Sequence, residues 1–173
     1  MLSGYRRIDN LDNAEQFSAL AVRIPDGTRF ITFRGTDDNI FAWKENFRMS
    51  IIDTIPAQED ALRYLRWAMD AYEGSFIVCG HSKGGNLAVY ASSMLPQDLQ
   101  DRIISVYSFD GPGFREDFLN LDGYRRILPK LHSLRDPSAA ERPFLLPPPF
   151  CGSLSGGHFQ DRTYRRPSGR NPN

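Results

Sequence analysis

The stretch FIVCGHSKGGNLAVYASSML, Phe76 to Leu95, decides the fold. Ser75 to Cys79 is a short apolar, β-rich run that suits a buried strand, and Gly84 to Leu95 resumes at helical spacing. Between them stands Gly80-His81-Ser82-Lys83-Gly84, which fits G-x-S-x-G in the strand-to-helix setting that gives the pattern its meaning. A serine at the apex of so sharp a turn sits in strained backbone, so the residues two positions either side must be small, and Gly80 and Gly84 are. The Ser82 hydroxyl is then expected to project over the C-terminal edge of the sheet. The Lys83 N–H, at the start of the helix, is expected to donate to an oxyanion developing on a substrate carbonyl. A plain glycine-rich βα turn is the competing reading, and the flanking strand and helix weigh against it. A phosphate loop is excluded, because His81 stands where a lysine should follow Gly80.

Working outward, Ile103 to Phe109 reads as a further strand ending at Asp110-Gly111-Pro112-Gly113. Strand, helix and strand at this spacing form a βαβ unit with parallel strands and a right-handed crossover. Upstream, the β-rich runs Phe17 to Ile24 and Arg29 to Phe33 flank Pro25-Asp26-Gly27-Thr28, a turn sequence, and so predict a hairpin that makes the sheet mixed. Between hairpin and βαβ unit, Ala61, Leu65, Ala68 and Tyr72 recur at helical spacing within Ala57 to Tyr72, and Gly74 ends that helix.

Composition bounds the function. The chain's 173 residues with 12 Phe can bury one core, and 21 basic against 21 acidic side chains leave no net field to gather nucleic acid or anionic lipid. Two cysteines, Cys79 and Cys151, are too few for a secreted disulfide scaffold and are read as thiols. No window approaches the length of a membrane span and no apolar segment follows Met1 to Arg7, so a cytoplasmic location is expected. No metal-ligand pattern and no cofactor fingerprint stands out. Oligomeric state is not legible.

Two motifs together, Phe33-Arg34-Gly35-Thr36 followed by Trp43, and Gly80-His81-Ser82-Lys83-Gly84-Gly85, resemble the lipase class 3 branch of the α/β-hydrolases. PDGTRFITFRGTDDNIFAWKENF, GHSKGGNLAVYAS and YSFDGPGF are more similar still to the Mbeg-like bacterial family, lipase-like proteins of unknown function. The resemblance implies an α/β-hydrolase-like, mixed but mostly parallel sheet flanked by helices, incomplete at both ends. It also implies Ser82 as nucleophile and an oxyanion hole of the Lys83 N–H with Thr36. Lipases usually continue W-x-x-D after the Gly-Thr corner, whereas Asn46 stands at that position here. Family members carry more helix before the hairpin and more strand and helix after the Asp-Gly-Pro-Gly segment. A truncated or frameshifted gene product is one explanation of the difference.

A serine needs a base, itself oriented by an acid, and in this fold the chain order is Ser, acid, His. Of three histidines, His81 adjoins the nucleophile and is read as packing beside the oxyanion loop; His132 follows the amphipathic stretch Gly123 to Leu131 and is read as an exposed helix end. His158, on the loop Ser155-Gly156-Gly157-His158-Phe159, comes where the base belongs in order. Asp110, at the tip of the strand after the elbow, is preferred as the acid over Asp136. Seven of the 12 prolines lie beyond Arg135, so residues 1–131 are expected to form the domain and 132–173 a poorly ordered tail. The leading expectation is a lipase- or carboxylesterase-type serine hydrolase acting on a small-molecule ester or lipid. A non-catalytic domain of the same fold, or a gene fragment without a working triad, is the alternative.

Overall fold

The computed structural model describes residues 2–10, 15–35, 55–135 and 151–153. Strands β1 (Leu2–Asn10), β2 (Glu15–Arg23), β3 (Arg29–Phe33), β4 (Phe76–His81), β5 (Ile103–Phe109), β6 (Leu131–Arg135) and β7 (Cys151–Ser153) form one sheet in that spatial order. β1 to β3 pair antiparallel, and every pair from β3 to β7 is parallel. The expected hairpin is β2 and β3, closed where the Gly27 N–H donates to the Ile24 carbonyl with Gly27 at φ 92°. That positive φ is the reason a glycine stands in the turn.

Helix α1 (Pro56–Ala71) fills the crossover from β3 to β4, and α2 (Lys83–Met94) with the short α3 (Gln97–Asp101) fills that from β4 to β5. Beyond β5 come α4 (Glu116–Leu119), α5 (Asp122–Ile127) and a 3₁₀ turn at Leu128–Lys130. α2 packs between α1 and α5 and against β3, β4 and β5. Strand alternation meets this helical layer: Ile31, Phe33, Val78, Ile103 and Val106 are buried beneath Ala61, Leu65, Leu87, Ala88 and Ile127. Ile104 is 51% exposed, which marks the opposite face of β5.

Helix ends are tied down from a distance. α1 has no basic residue in its last turn, and the Arg102 guanidinium, entering from the start of β5, donates to the carbonyls of Met69, Tyr72 and Gly74. The Met69 and Tyr72 carbonyls are among the orphan acceptors that a helix C-terminus leaves behind, and Gly74 belongs to the turn that follows. The Gln100 side chain likewise donates to the Ser92 and Ser93 carbonyls at the end of α2 and accepts from Arg126.

Three readings change with the structure. Leu2–Asn10, where no element is predicted, is an edge strand paired with β2. β4 continues through Gly80 to His81, directly up to Ser82. His132 is exposed, but it lies in β6 rather than at a helix end: Pro129 restricts the chain to one 3₁₀ turn, and the backbone then pairs with β5 in the register Tyr107↔His132.

Candidate functional site

The parallel register of β4 and β5 sets the site, because His81 lies opposite Phe109 and the next residues, Ser82 and Asp110, emerge level at the same sheet edge. The Ser82 N–H continues the ladder to the Phe109 carbonyl at 2.8 Å, and the Asp110 N–H donates to the Leu134 carbonyl of β6 at 2.8 Å. Ser82 has φ 54°, ψ −125°, and Asp110 has φ 51°; among the described residues these are the non-glycine positions with positive φ. Such backbone costs on the order of 1–3 kcal/mol per residue and persists only where its surroundings over-determine it.

The surroundings are backbone. A Cβ on Gly80 would stand 2.2 Å from the Gly84 carbonyl carbon and oxygen, and one on Gly84 would stand 2.2 Å from the Phe33 carbonyl oxygen. The turn therefore folds back on itself and seats the first turn of α2 on the end of β3, at a spacing that excludes any side chain. Gly35, just past β3, comes equally close: its Cβ would lie 2.7 Å from the His81 carbonyl oxygen and 3.5 Å from the Ser82 Cβ. The Phe33-Arg34-Gly35 corner thus abuts the serine itself. Thr36, the residue expected to share the oxyanion hole, lies outside the described residues, as do Trp43, Asn46, Asp136 and His158.

Lys83 opens α2 with its side chain fully buried. Asp110 meets His81, with Oδ2 3.8 Å from Nε2. That corrects the reading of His81 as a packed residue: its side chain is 71% exposed and faces the carboxylate, because it ends a strand whose preceding residue, Gly80, is the one turned into α2. His132 stacks on the Tyr107 ring at 4.7 Å.

A polar relay runs beneath this edge. The Ile55 N–H donates to Gln58 Oε1 (3.0 Å), Gln58 Nε2 donates to Asn86 Oδ1 (2.8 Å), and Asn86 Nδ2 donates to the carbonyls of Pro112 (3.1 Å) and Gly113 (3.3 Å). Sequence reasoning missed these two amides. The signal was a large amide, Asn86, one helical turn after Ser82 in a run otherwise made of small and apolar residues.

The model of the Mbeg1-like family matches residues 1–139, most of the chain. This protein belongs to the Mbeg1-like family. Among solved structures, it is similar to a fungal lipase in complex with an inhibitor, described as a model for interfacial activation in lipases. The TM-score is 0.51 and the identity 16%, covering 76% of this chain and 57% of the lipase chain. At that identity the likeness carries the fold alone: an α/β-hydrolase-like sheet, as the resemblance implied. The chain spans little more than half the length of that lipase. No curated protein matches. Among the described residues of this Mbeg1-like chain, no helix is long and apolar enough to cross a membrane, and no group of three or more His, Cys, Asp and Glu is gathered as a metal site would need.

Proposed function

We propose that this protein is a serine hydrolase of the lipase or carboxylesterase type, with Ser82 as nucleophile at an elbow between β4 and α2. The observation that carries the reading is the Ser82 backbone, φ 54° and ψ −125°, wedged between Gly80 and Gly84 at the C-terminal edge of a parallel sheet. A glycine would fill such a position without strain, so a serine kept there points to use of its hydroxyl.

In the proposed reaction the Ser82 hydroxyl oxygen attacks an ester carbonyl while a histidine accepts its proton. The tetrahedral oxyanion takes hydrogen bonds from the Lys83 N–H and from the corner at Thr36. The alcohol leaves with the proton returned by the histidine, and water then hydrolyses the acyl-enzyme by the same route. Chain order assigns the base to His158. Asp110 is assigned as the acid on its position level with Ser82, ahead of Asp136. The substrate is an ester or lipid of small-molecule size, and no cofactor enters.

The test is labelling of the intact protein with a fluorophosphonate probe, beside p-nitrophenyl ester hydrolysis. Modification at Ser82, lost together with turnover in Ser82→Ala, is the expected result. An unlabelled, inert protein of unchanged fold would overturn the reading and leave a non-catalytic domain of this fold.

A further inference from the structure

We propose that Asn86, backed by Gln58, is a positioning residue that holds the Asp110-Gly111-Pro112-Gly113 turn, and with it the Asp110 carboxylate, against the Ser82 elbow; the proposal rests on the hydrolase reading above. The relay that contains Asn86 has a direction imposed at both ends. It begins at a backbone N–H, which can only donate, and ends at two backbone carbonyls, which can only accept. The amides between them have a single orientation that satisfies every partner, so Gln58 must present its oxygen to Ile55 and Asn86 its nitrogen to the turn. Gln58 and Asn86 are 5% and 2% exposed, so water offers no substitute partner.

The carbonyls that Asn86 grips belong to the residues two and three positions after Asp110. On the other flank, Asp110 is fixed through its own N–H to Leu134. Between these anchors Gly111 presses on the first turn of α2: its Cβ would lie 3.0 Å from the Asn86 nitrogen and 2.3 Å from the Ser108 hydroxyl oxygen. The turn is therefore clamped to the helix that Ser82 begins. This holds Asp110 at φ 51°, a left-handed conformation that aspartate tolerates better than most residues and that the clamp makes the fixed one. Gln58 stands at the third position of α1 and also accepts the Ile55 N–H as the helix's capping side chain, so the same relay sets α1 against the site.

Asn86→Asp is the sharp perturbation. It keeps the shape and the acceptor for Gln58 Nε2 but turns a carboxylate oxygen toward the Pro112 and Gly113 carbonyls. Gln58→Glu is a second variant: it removes the donor to Asn86 while leaving the turn-facing residue in place. With p-nitrophenyl butyrate as the probe, kcat is expected to fall roughly 10- to 100-fold, the scale of a misplaced catalytic group, with KM within about twofold. In the cycle with Asp110→Asn, the double variant Asn86→Asp/Asp110→Asn should be no slower than Asp110→Asn alone. Multiplicative losses would overturn the proposal, since Asn86 would then act independently of Asp110. Amide hydrogen exchange gives a readout that does not need turnover: the Asp110 N–H should exchange about tenfold faster in either variant while Val78 in β4 is unchanged. Unchanged exchange at Asp110 would overturn the positioning role even if hydrolysis were impaired. A parent protein that neither labels nor hydrolyses, with the exchange effect present, would refute the hydrolase reading and leave the clamp standing.

Discussion

Ser82 is held at φ 54°, and its hydroxyl does not cap the helix it precedes. Replacing it with alanine removes the oxygen and keeps the Cβ, so the strain stays. Replacing it with glycine removes the Cβ as well and releases about 1–3 kcal/mol of backbone strain. Against this stands the greater freedom of glycine in the unfolded chain, about 0.4–1 kcal/mol. Ser82→Gly should therefore be more stable than Ser82→Ala by about 1 kcal/mol, which for a domain of this size raises Tm by about 2–4 °C. Thermal melts of the two variants and the parent, followed by far-ultraviolet circular dichroism, measure this directly. A glycine variant that melts at or below the alanine variant would refute the claim that the serine backbone is strained, and with it the main support for its role. A stability gain on losing the serine is the expected mark of a residue retained for chemistry.

Further outcomes follow from the same geometry. Gly84→Ala drives a methyl into the Phe33 carbonyl oxygen, and with backbone on both sides the cost should reach about 3 kcal/mol, seen as a Tm loss of roughly 6–12 °C; a melt within about 1 °C of the parent would contradict the close approach. Arg102→Met strips the Met69, Tyr72 and Gly74 carbonyls of their donor and should destabilise by about 3 kcal/mol in urea unfolding, and Arg102→Lys should restore little of it because one ammonium cannot span three acceptors. The Tyr64 hydroxyl, which donates to the Gly4 carbonyl, is pushed up to about 12 by burial and secondarily by Tyr72. Below about pH 10 neither folded nor unfolded Tyr64 ionises; from there to about 12 only the unfolded chain loses its proton, so stability falls as pH rises, by up to about 3 kcal/mol from this group. Burial pushes Cys79 and Tyr124 up as well, so the check is the difference between parent and Tyr64→Phe, whose alkaline decline should be shallower.

What the sequence made legible was local. The hairpin and the strand-turn-helix at Ser82 each close within a few residues, and their turn chemistry is written in Pro25-Asp26-Gly27 and in Gly80 and Gly84. β1 was not legible, since an edge strand such as Leu2–Asn10 depends on its partner, β2, more than on its own pattern. β6 was hidden for a related reason: LHSLR is too short for a period, and only pairing with β5 makes it a strand. At the site, Ser82 announced itself by motif. The meeting of His81 with Asp110 and of Gln58 with Asn86 joins residues 28 or 29 apart, which only the parallel register and the α1–α2 contact bring together.

The sheet order, β1 to β7, is the order of the chain. No strand has to be threaded between two that are already in place, so each one emerging from the ribosome can dock on the edge left by the one before. Until the next arrives that edge is bare, with its N–H and C=O groups open to a wrong partner, so besides the β1 edge the growing chain always carries an adhesive margin at its newest strand. When β5 has formed but β6 has not, the margin includes Ser108 and Phe109 and stops beside Asp110, whose N–H has no Leu134 carbonyl to meet. The aspartate level with the serine thus gains the second of its two anchors only on the arrival of a strand made after both, and a nascent chain cut before residue 131 would hold Asp110 by the Asn86 side alone.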